Sequence, residues 1–316
     1  PAQVIHIEWF NYISIKFEEF LIPTVAKLFG KKILYKVHDL SKEKLLSDGS
    51  SKVISEMTPT RRYFFNRVDK FIVHNKYMRN LLHANGVKPD RIKIIYHGVN
   101  NYAENLNIGS LFARTSLHIP QNAKVILFFG AISEYKNLEE LIAAFEKIND
   151  EDMYLLIAGK YKKGKSHYKE KIDNIIQGCS NRNRILYHAK FINNTDIETY
   201  FRAADTIILP YSHIYQSGLI FLAYAYNIPV IAKDIGGLSE NIMQKKTGII
   251  YQQNDALDEV IISFFSSKMF SNKVGTSNEI SKYVEARLDW KKLSKQYSDV
   301  YHNLIHLDAR KYDKNH

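Results

Sequence analysis

One stretch leaves this chain little freedom of fold: residues 206–240, TIILPYSHIYQSGLIFLAYAYNIPVIAKDIGGLSE. A short apolar strand, Thr206-Ile207-Ile208-Leu209, breaks at Pro210 and gives way to a polar loop ending in Gln216-Ser217-Gly218. A helix of small and aromatic residues follows, and Pro229 opens a second apolar strand, Pro229-Val230-Ile231-Ala232. Asp234-Ile235-Gly236-Gly237 closes the unit with a glycine turn. Strand, loop, helix, strand is a βαβ unit with an expected right-handed crossover, so the two strands belong to one parallel sheet. Ser217 and Gly218 place free backbone N–H groups and a hydroxyl at a helix N-terminus. That end carries about half a positive charge and suits a phosphate. The same residues also read as a plain N-cap with a close helix–strand contact, and the local pattern does not choose between the two.

The alternation runs along most of the chain. Val4-Ile5-His6-Ile7 reads as a strand, and residues 16–29 as a helix with Phe17, Phe20, Leu21, Val25 and Leu28 on one face, stopped at Gly30. A strand over 33–37 delivers His38 and Asp39 to its C-terminal end, the edge where open α/β sheets bind ligands. His38 is equally readable as a structural histidine. A helix over 53–70, strands over 71–73 and 92–95, and a helix over 76–84 complete a first doubly wound half that ends in Tyr96-His97-Gly98-Val99-Asn100. Residues 101–122 are polar, aperiodic and broken by Gly109 and Pro120, and read as a linker with room for a short helix.

The second half opens with a very apolar strand over 124–129, followed by Gly130 and a helix headed by Lys136-Asn137. A strand over 154–158 ends in Gly159-Lys160. Two strands thus bring a glycine and a nearby lysine to one sheet edge, where converging cations suit a diphosphate or, equally, mark two surface loops. Lys162, Lys163, Lys165, Lys169 and Lys171 read as a solvated basic face. Thr195 and Glu198 have the spacing of a capping box. Strands over 185–187 and 248–251 and a helix over 256–266 continue the pattern. Trp290, Leu293, Tyr297, Tyr301 and Leu304 then form the packing stripe of a last helix.

Composition narrows the class. With 316 residues the chain is long enough for two domains, and 45% hydrophobic with 24% charged residues is a globular balance. A single cysteine, Cys179, excludes an internal disulfide and a cysteine-based metal site, and fits a cytoplasmic setting. The net charge of +11 is uneven, with 17 Lys and Arg against 10 Asp and Glu in residues 1–110, and 27 against 23 thereafter. A basic first half suits an anionic membrane surface or a phosphorylated substrate. No nucleic-acid-binding signature accompanies it, so nucleic acid is not an expected partner.

The block LPY…QSG…PVIA…D-x-GG-x-x-E resembles the donor-binding half of family 4 glycosyltransferases, in the branch with Q-S-G in place of a glutamate-rich loop. VIHIEW, KVHDL, FIVHN, YHGVN, FFGAISEYKN and LLIAGK, with a closing helix headed by Trp290, fall in the family's order and extend the resemblance over nearly the whole chain. It implies a GT-B fold, two Rossmann-like parallel-sheet domains facing across a cleft. Residues 1–110 would form the acceptor-side domain, 111–288 the nucleotide-sugar domain, and 289–316 a helix crossing back to the first. Lys136 and Lys160 would neutralise the donor diphosphate. The Ser217-Gly218 backbone would cap it, with Gln216 and Leu219 beside it, and Phe191 and Ile192 would lie along the nucleobase. His38, the implied catalytic residue, would approach the transferred sugar, with Asp39, Gly98 and Asn100 lining the cleft. The implied reaction is metal-independent transfer from a UDP- or GDP-linked sugar, with retention, to a saccharide or lipid-linked acceptor in surface polysaccharide synthesis. It needs no cofactor and would be cytoplasmic, with peripheral contact on the inner face of an anionic membrane.

The chain departs from the family pattern at several points. The usual arginine after the Gly130 strand falls on Ala131, and two usual loop glutamates fall on Ile214 and Leu222. The family's first strand and glycine-rich loop have no counterpart before Val4, so a longer chain, a partner, or a reduced architecture is expected. Two other functions stay open: a non-catalytic GT-B binding subunit of a glycosyltransferase complex, and a nucleotide-sugar epimerase using His38 and Asp39.

Overall fold

The computed structural model describes residues 2–10, 15–40, 42–45, 51–54, 57–99 and 108–306. The chain divides into two compact units, residues 1–98 with 288–316, and residues 99–287.

In the first unit, β1 (Val4–Ile7), β2 (Lys32–Lys36), β5 (Lys70–Val73) and β6 (Ile92–Ile94) form a four-stranded sheet in the order β1-β2-β5-β6. Each neighbouring pair is parallel. A separate antiparallel ribbon joins β3 (Lys42–Leu45) and β4 (Ser51–Ile54). The crossovers are α1 (Ile15–Leu28), α2 (Pro59–Arg67) and α3 (Lys76–Ala84). The helix expected over 53–70 starts later than the sequence suggested. Val53 belongs to β4, and the helix begins at Pro59 after Thr58, whose hydroxyl accepts from the Arg61 N–H. Proline disfavours the α conformation in the residue before it and is pre-organised for a first helical position, so the helix starts there. Within this unit the last helix, α12 (Trp290–His306), buries Leu293, Val300 and Leu304 against Leu34, Ile72 and Ile95.

Helix α1 is turned inside out. Its inner face is held to α2 by polar contacts: Glu19 to Arg61 at 2.9 Å, Thr24 to the Tyr63 hydroxyl at 2.8 Å, and Lys27 to Asp69 at 2.5 Å. Phe17, Phe20, Leu21, Val25, Leu28 and Phe29 face outward. The apolar spacing seen in the sequence is real, but in this structure the stripe is not the buried one. Leu28 is 78% exposed, so Leu28→Ser is expected to change unfolding stability by no more than about 0.5 kcal/mol in urea titration.

In the second unit six strands line up as β12-β11-β10-β7-β8-β9, again with every neighbouring pair parallel. They are β7 (Lys124–Phe129), β8 (Met153–Ala158), β9 (Ile185–His188), β10 (Thr206–Leu209), β11 (Val230–Lys233) and β12 (Gly248–Tyr251). The helices are α4 (Ser110–Ser116), α5 (Leu138–Lys147), α6 (Ser166–Gly178), α7 (Asn194–Ala203), α8 (Gly218–Ala225), α9 (Leu257–Phe265), α10 (Lys268–Ser271) and α11 (Lys273–Tyr283). The strand order reverses between β7 and β10, which opens a crevice at their carboxyl ends. The core gathers Phe128, Leu141, Phe145, Leu155, Ile157, Ile261 and Phe264 from strands and flanking helices.

Two sequence expectations change here. The capping box at Thr195 does not form: the N-cap of α7 is Asn193, two residues earlier, which puts Thr195 inside the first turn, while Glu198 is buried and paired with Arg202. The later part of the expected linker is α4, tied in by Arg114. This buried guanidinium binds Asp205 at 3.0 Å and the carbonyls of Gln121, Ala123 and Ala203. The units also separate the charge. The first carries 23 Lys and Arg against 13 Asp and Glu, a net +10, and the second 21 against 20, a net +1.

Candidate functional site

The crevice between β7 and β10 assembles several of the residues singled out in the sequence. Gly130 leaves β7 with φ +91°, and the short turn Glu134–Lys136 follows. That turn folds the Lys136 side chain back under the strand end. Its Nζ donates to the Phe129 carbonyl at 3.3 Å, and a Cβ on Gly130 would sit 3.3 Å from it and 3.8 Å from Leu219. Gly130, Lys136 and Leu219 therefore meet at one point. Lys136 is only 6% exposed, and Tyr211 offers its ring face 5.6 Å from the amine. Burial, helped by the nearby charge of Lys162, pulls the Lys136 amine down to a pKa of about 7. It is an amine held ready for an anion that would restore its charge.

From the β10 side, Ser217 caps α8 with its hydroxyl accepting from the Leu219 N–H at 3.3 Å, and Gly218 opens the helix with nothing within 4 Å of a would-be Cβ. The capping role and a phosphate-binding role are compatible, because one side-chain acceptor leaves the other first-turn N–H groups free to point at a ligand. Gln216 lies half-buried in the loop ahead of this helix. The glycine turn after β11 packs under that loop: a Cβ on Gly236 would lie 1.7 Å from the Ile214 carbonyl. A loop this closely buttressed is pre-organised.

On the β8 side, Gly159 abuts Gly130 so closely that a Cβ would fall 1.9 Å from the Gly130 carbonyl oxygen. This contact brings Lys160 beside the β7 edge. Lys160 stands 5.0 Å over the ring of Phe191, which is 62% exposed, while Ile192 is buried beneath the same loop. An exposed aromatic face under a cation is a ready stacking surface for a planar base. Sequence reading passed over Tyr135, Tyr211 and His213, whose rings pack together around the Lys136 turn at 5.3 to 5.7 Å. Their only signal was aromatic residues in loops otherwise rich in polar groups.

In the first unit the sheet's carboxyl edge carries a second cluster. The His38 Nε2 lies 3.1 Å from a Glu8 carboxylate oxygen, and its ring is stacked on Trp9 at 4.1 Å, 9° from parallel. Burial works against ionising Glu8, but hydrogen bonds from His38 and Lys36 outweigh it and hold the carboxyl below its usual range. His74 and His97 extend the row of rings. His74 donates from Nδ1 to the Ile95 carbonyl at 2.7 Å, and burial lowers its pKa to about 3. Its ring is expected to stay neutral, with the proton on Nδ1, at pH 5, which nitrogen-15 NMR of labelled histidine checks. Asp39 is exposed at the same edge, and Gly98 packs against the Trp290 indole. Asn100 lies outside the described residues. Among the described residues no group of three or more His, Cys, Asp or Glu is placed to hold a metal.

Sequence comparison matches residues 111–285 to the model of the glycosyl transferases group 1 and residues 14–101 to that of glycosyltransferase family 4. The chain belongs to the group 1 glycosyltransferases. This family member is 26% identical over 220 residues to an uncharacterized glycosyltransferase of Methanocaldococcus jannaschii, covering 67% of this chain and 54% of the relative. It is 24% identical over 303 residues to a D-inositol 3-phosphate glycosyltransferase of Streptomyces scabiei, covering 91% of this chain and 66% of the relative. It thus spans about half to two thirds of these relatives' lengths. Among solved structures it resembles the sucrose-phosphate synthase of Thermosynechococcus elongatus, with TM-score 0.76, 19% identity and coverage of 96% and 74%. It also resembles Anabaena HepE in complex with UDP, with TM-score 0.77, 16% identity and coverage of 94% and 78%. These likenesses establish a GT-B fold with two parallel-sheet α/β domains.

Proposed function

We propose that this group 1 glycosyltransferase transfers a sugar from a UDP- or GDP-linked donor to a saccharide or lipid-linked acceptor, without a metal and with retention of configuration. The observation that carries the reading is the convergence of buried Lys136, Gly130 and the N-terminus of α8 at the β7–β10 crevice. A leaving diphosphate there would take its charge compensation from an amine and backbone N–H groups already in position. Lys160 and Phe191 would flank the nucleotide, and Gln216, Ser217, Leu219 and Ile192 would line its pocket. The HepE neighbour was solved with UDP and with UDP-glucose, which supports the same donor class. His38, oriented by Glu8 and Trp9, is the catalytic candidate on the acceptor side, with Asp39 and Gly98 near it. The concentration of positive charge in the first unit supports peripheral contact with an anionic membrane and a role in surface polysaccharide synthesis.

Thermal unfolding against UDP, GDP, ADP and their sugars tests the donor reading. A ligand at a hundred times its Kd stabilises by about 2.7 kcal/mol, enough for a clear rise in Tm. A rise with one base, together with transfer of labelled sugar, supports the proposal. No shift with any nucleotide at millimolar concentration argues against a working donor site and for a non-catalytic subunit.

A further inference from the structure

The lysines after β8 differ in their surroundings, and all but Lys163 have a carboxylate or an aromatic ring beside them among the described residues. Lys165, Lys169 and Lys171 are each paired with a carboxylate, on Glu134 at 2.9 Å, Asp173 at 2.5 Å and Glu139 at 2.8 Å. Lys160 and Lys162 have no carboxylate partner among the described residues. Instead they stand over aromatic rings, Lys160 over Phe191 at 5.0 Å and Lys162 over Tyr135 at 5.1 Å.

Backbone geometry sets their direction. The segments after β7 and β8 stay paired beyond the named strands. The Ile132 N–H donates to the Lys160 carbonyl at 2.9 Å, the Lys162 N–H donates to the Ile132 carbonyl at 3.2 Å, and Ile132 lies opposite Tyr161 in a parallel bridge. Ile132 is fully buried and Tyr161 packs against the same core. In extended backbone successive side chains alternate, so Lys160 and Lys162 share the face opposite Tyr161, and Ala131 shares the matching face on its own segment. Tyr135, under Lys162, also packs edge-on against Tyr211, whose ring lies 5.6 Å from the Lys136 amine. The charge of Lys162 reaches Lys136 strongly enough to lower its pKa.

We propose that Lys162 is a further contact of the donor diphosphate, adding a cation from the segment after β8 to those of Lys136 and Lys160. The proposal rests on the donor reading above and adds one residue to it. A nucleoside diphosphate brings more negative charge than one amine balances. Lys136 would meet it from below and Lys162 from the neighbouring segment. That Lys162 has no carboxylate partner among the described residues fits this role, since a cation already neutralised by a carboxylate has less to offer an incoming phosphate.

The test measures Kd by isothermal calorimetry for whichever of UDP, GDP and ADP binds tightest, and for its monophosphate. Lys162→Ala is expected to weaken the diphosphate about five- to tenfold and the monophosphate less than twofold. Lys162→Arg stays within about twofold and Lys163→Ala is unchanged. Unaltered Tm of the free variants confirms that folding is intact. If Lys162→Ala binds diphosphate like the wild type while Lys136→Met has lost it, the Lys162 contact is overturned and the donor site stands. If the wild type binds none of the three diphosphates, both are overturned.

Discussion

Replacing Lys136 by methionine is expected to leave the free protein as stable as before, or more stable by about 1 kcal/mol, while weakening nucleoside diphosphate binding some thirty- to hundredfold. The two effects have one cause. The amine is nearly enclosed, and among the described residues it makes one hydrogen bond, a 3.3 Å donation to the Phe129 carbonyl. Enclosure disfavours its charged form, and a methionine of similar length removes that penalty. The lost affinity follows because a buried charge-assisted bond to phosphate is among the stronger polar contacts available. Urea titration and calorimetry on one variant check both halves. A variant less stable than wild type, with unchanged affinity, would make Lys136 a structural residue.

The pH dependence follows with a definite sign. The folded pKa of Lys136, about 7, lies below the ordinary lysine value of 10.5. Between those values the unfolded chain binds more protons, so this group's contribution to the stability of the free protein rises with pH across the window and is lost as pH falls through it. Binding a diphosphate restores the charge and takes up a proton. Affinity should therefore weaken with rising pH above about 7, by up to tenfold per unit, and calorimetry at pH 8 should show buffer-dependent heat with an uptake approaching one proton. Absence of proton uptake would mean that the amine is already charged in the free protein.

The second large effect is expected at Gly159, where alanine should destabilise the second unit by about 3 kcal/mol or more. Gly159 has φ +153°, a conformation that side-chain-bearing residues rarely adopt, and its Cβ would fall 1.9 Å from the Gly130 carbonyl oxygen. The obstacle is backbone, so relief requires the ends of β7 and β8 to part. That movement also shifts Gly130 away from Lys136, and nucleotide affinity should drop with stability. Gly164→Ala is the control. It too has positive φ, +82°, but nothing lies within 4 Å of its Cβ, so only the backbone strain of about 1–2 kcal/mol remains. Equal losses in the two variants, read from urea midpoints, would show that the Gly159 contact adds nothing to that strain.

The alternation of strands and helices, the parallel sheets, and the placing of Lys136, Lys160 and the Ser217-Gly218 turn at strand ends are legible in the amino-acid sequence. These follow from local hydrophobic period, Gly and Pro positions and the right-handed crossover, all of which act over a few residues. The helix over 76–84 and the strands over 124–129 and 248–251 are legible to the residue for that reason. The start of α2 is also written locally, in Thr58-Pro59.

Pairings between distant segments are set by the folded arrangement instead. Spacing identifies the apolar stripe of α1 but cannot say which face turns inward. Glu19, Thr24 and Lys27 settle that through partners on or next to α2, some forty residues away. The basic run 162–171 reads as one solvated face in sequence, with Lys160 set apart at the strand end before it. In the structure, carboxylates at 134, 139 and 173 neutralise three of its members, while Lys160 and Lys162 are left over aromatic rings. Likewise, the near-neutral pKa of Lys136 comes from its burial beside Gly130, Leu219 and Tyr211, helped by the charge of Lys162. Desolvation is a property of the space around a group, and that space is set by residues far away in the chain.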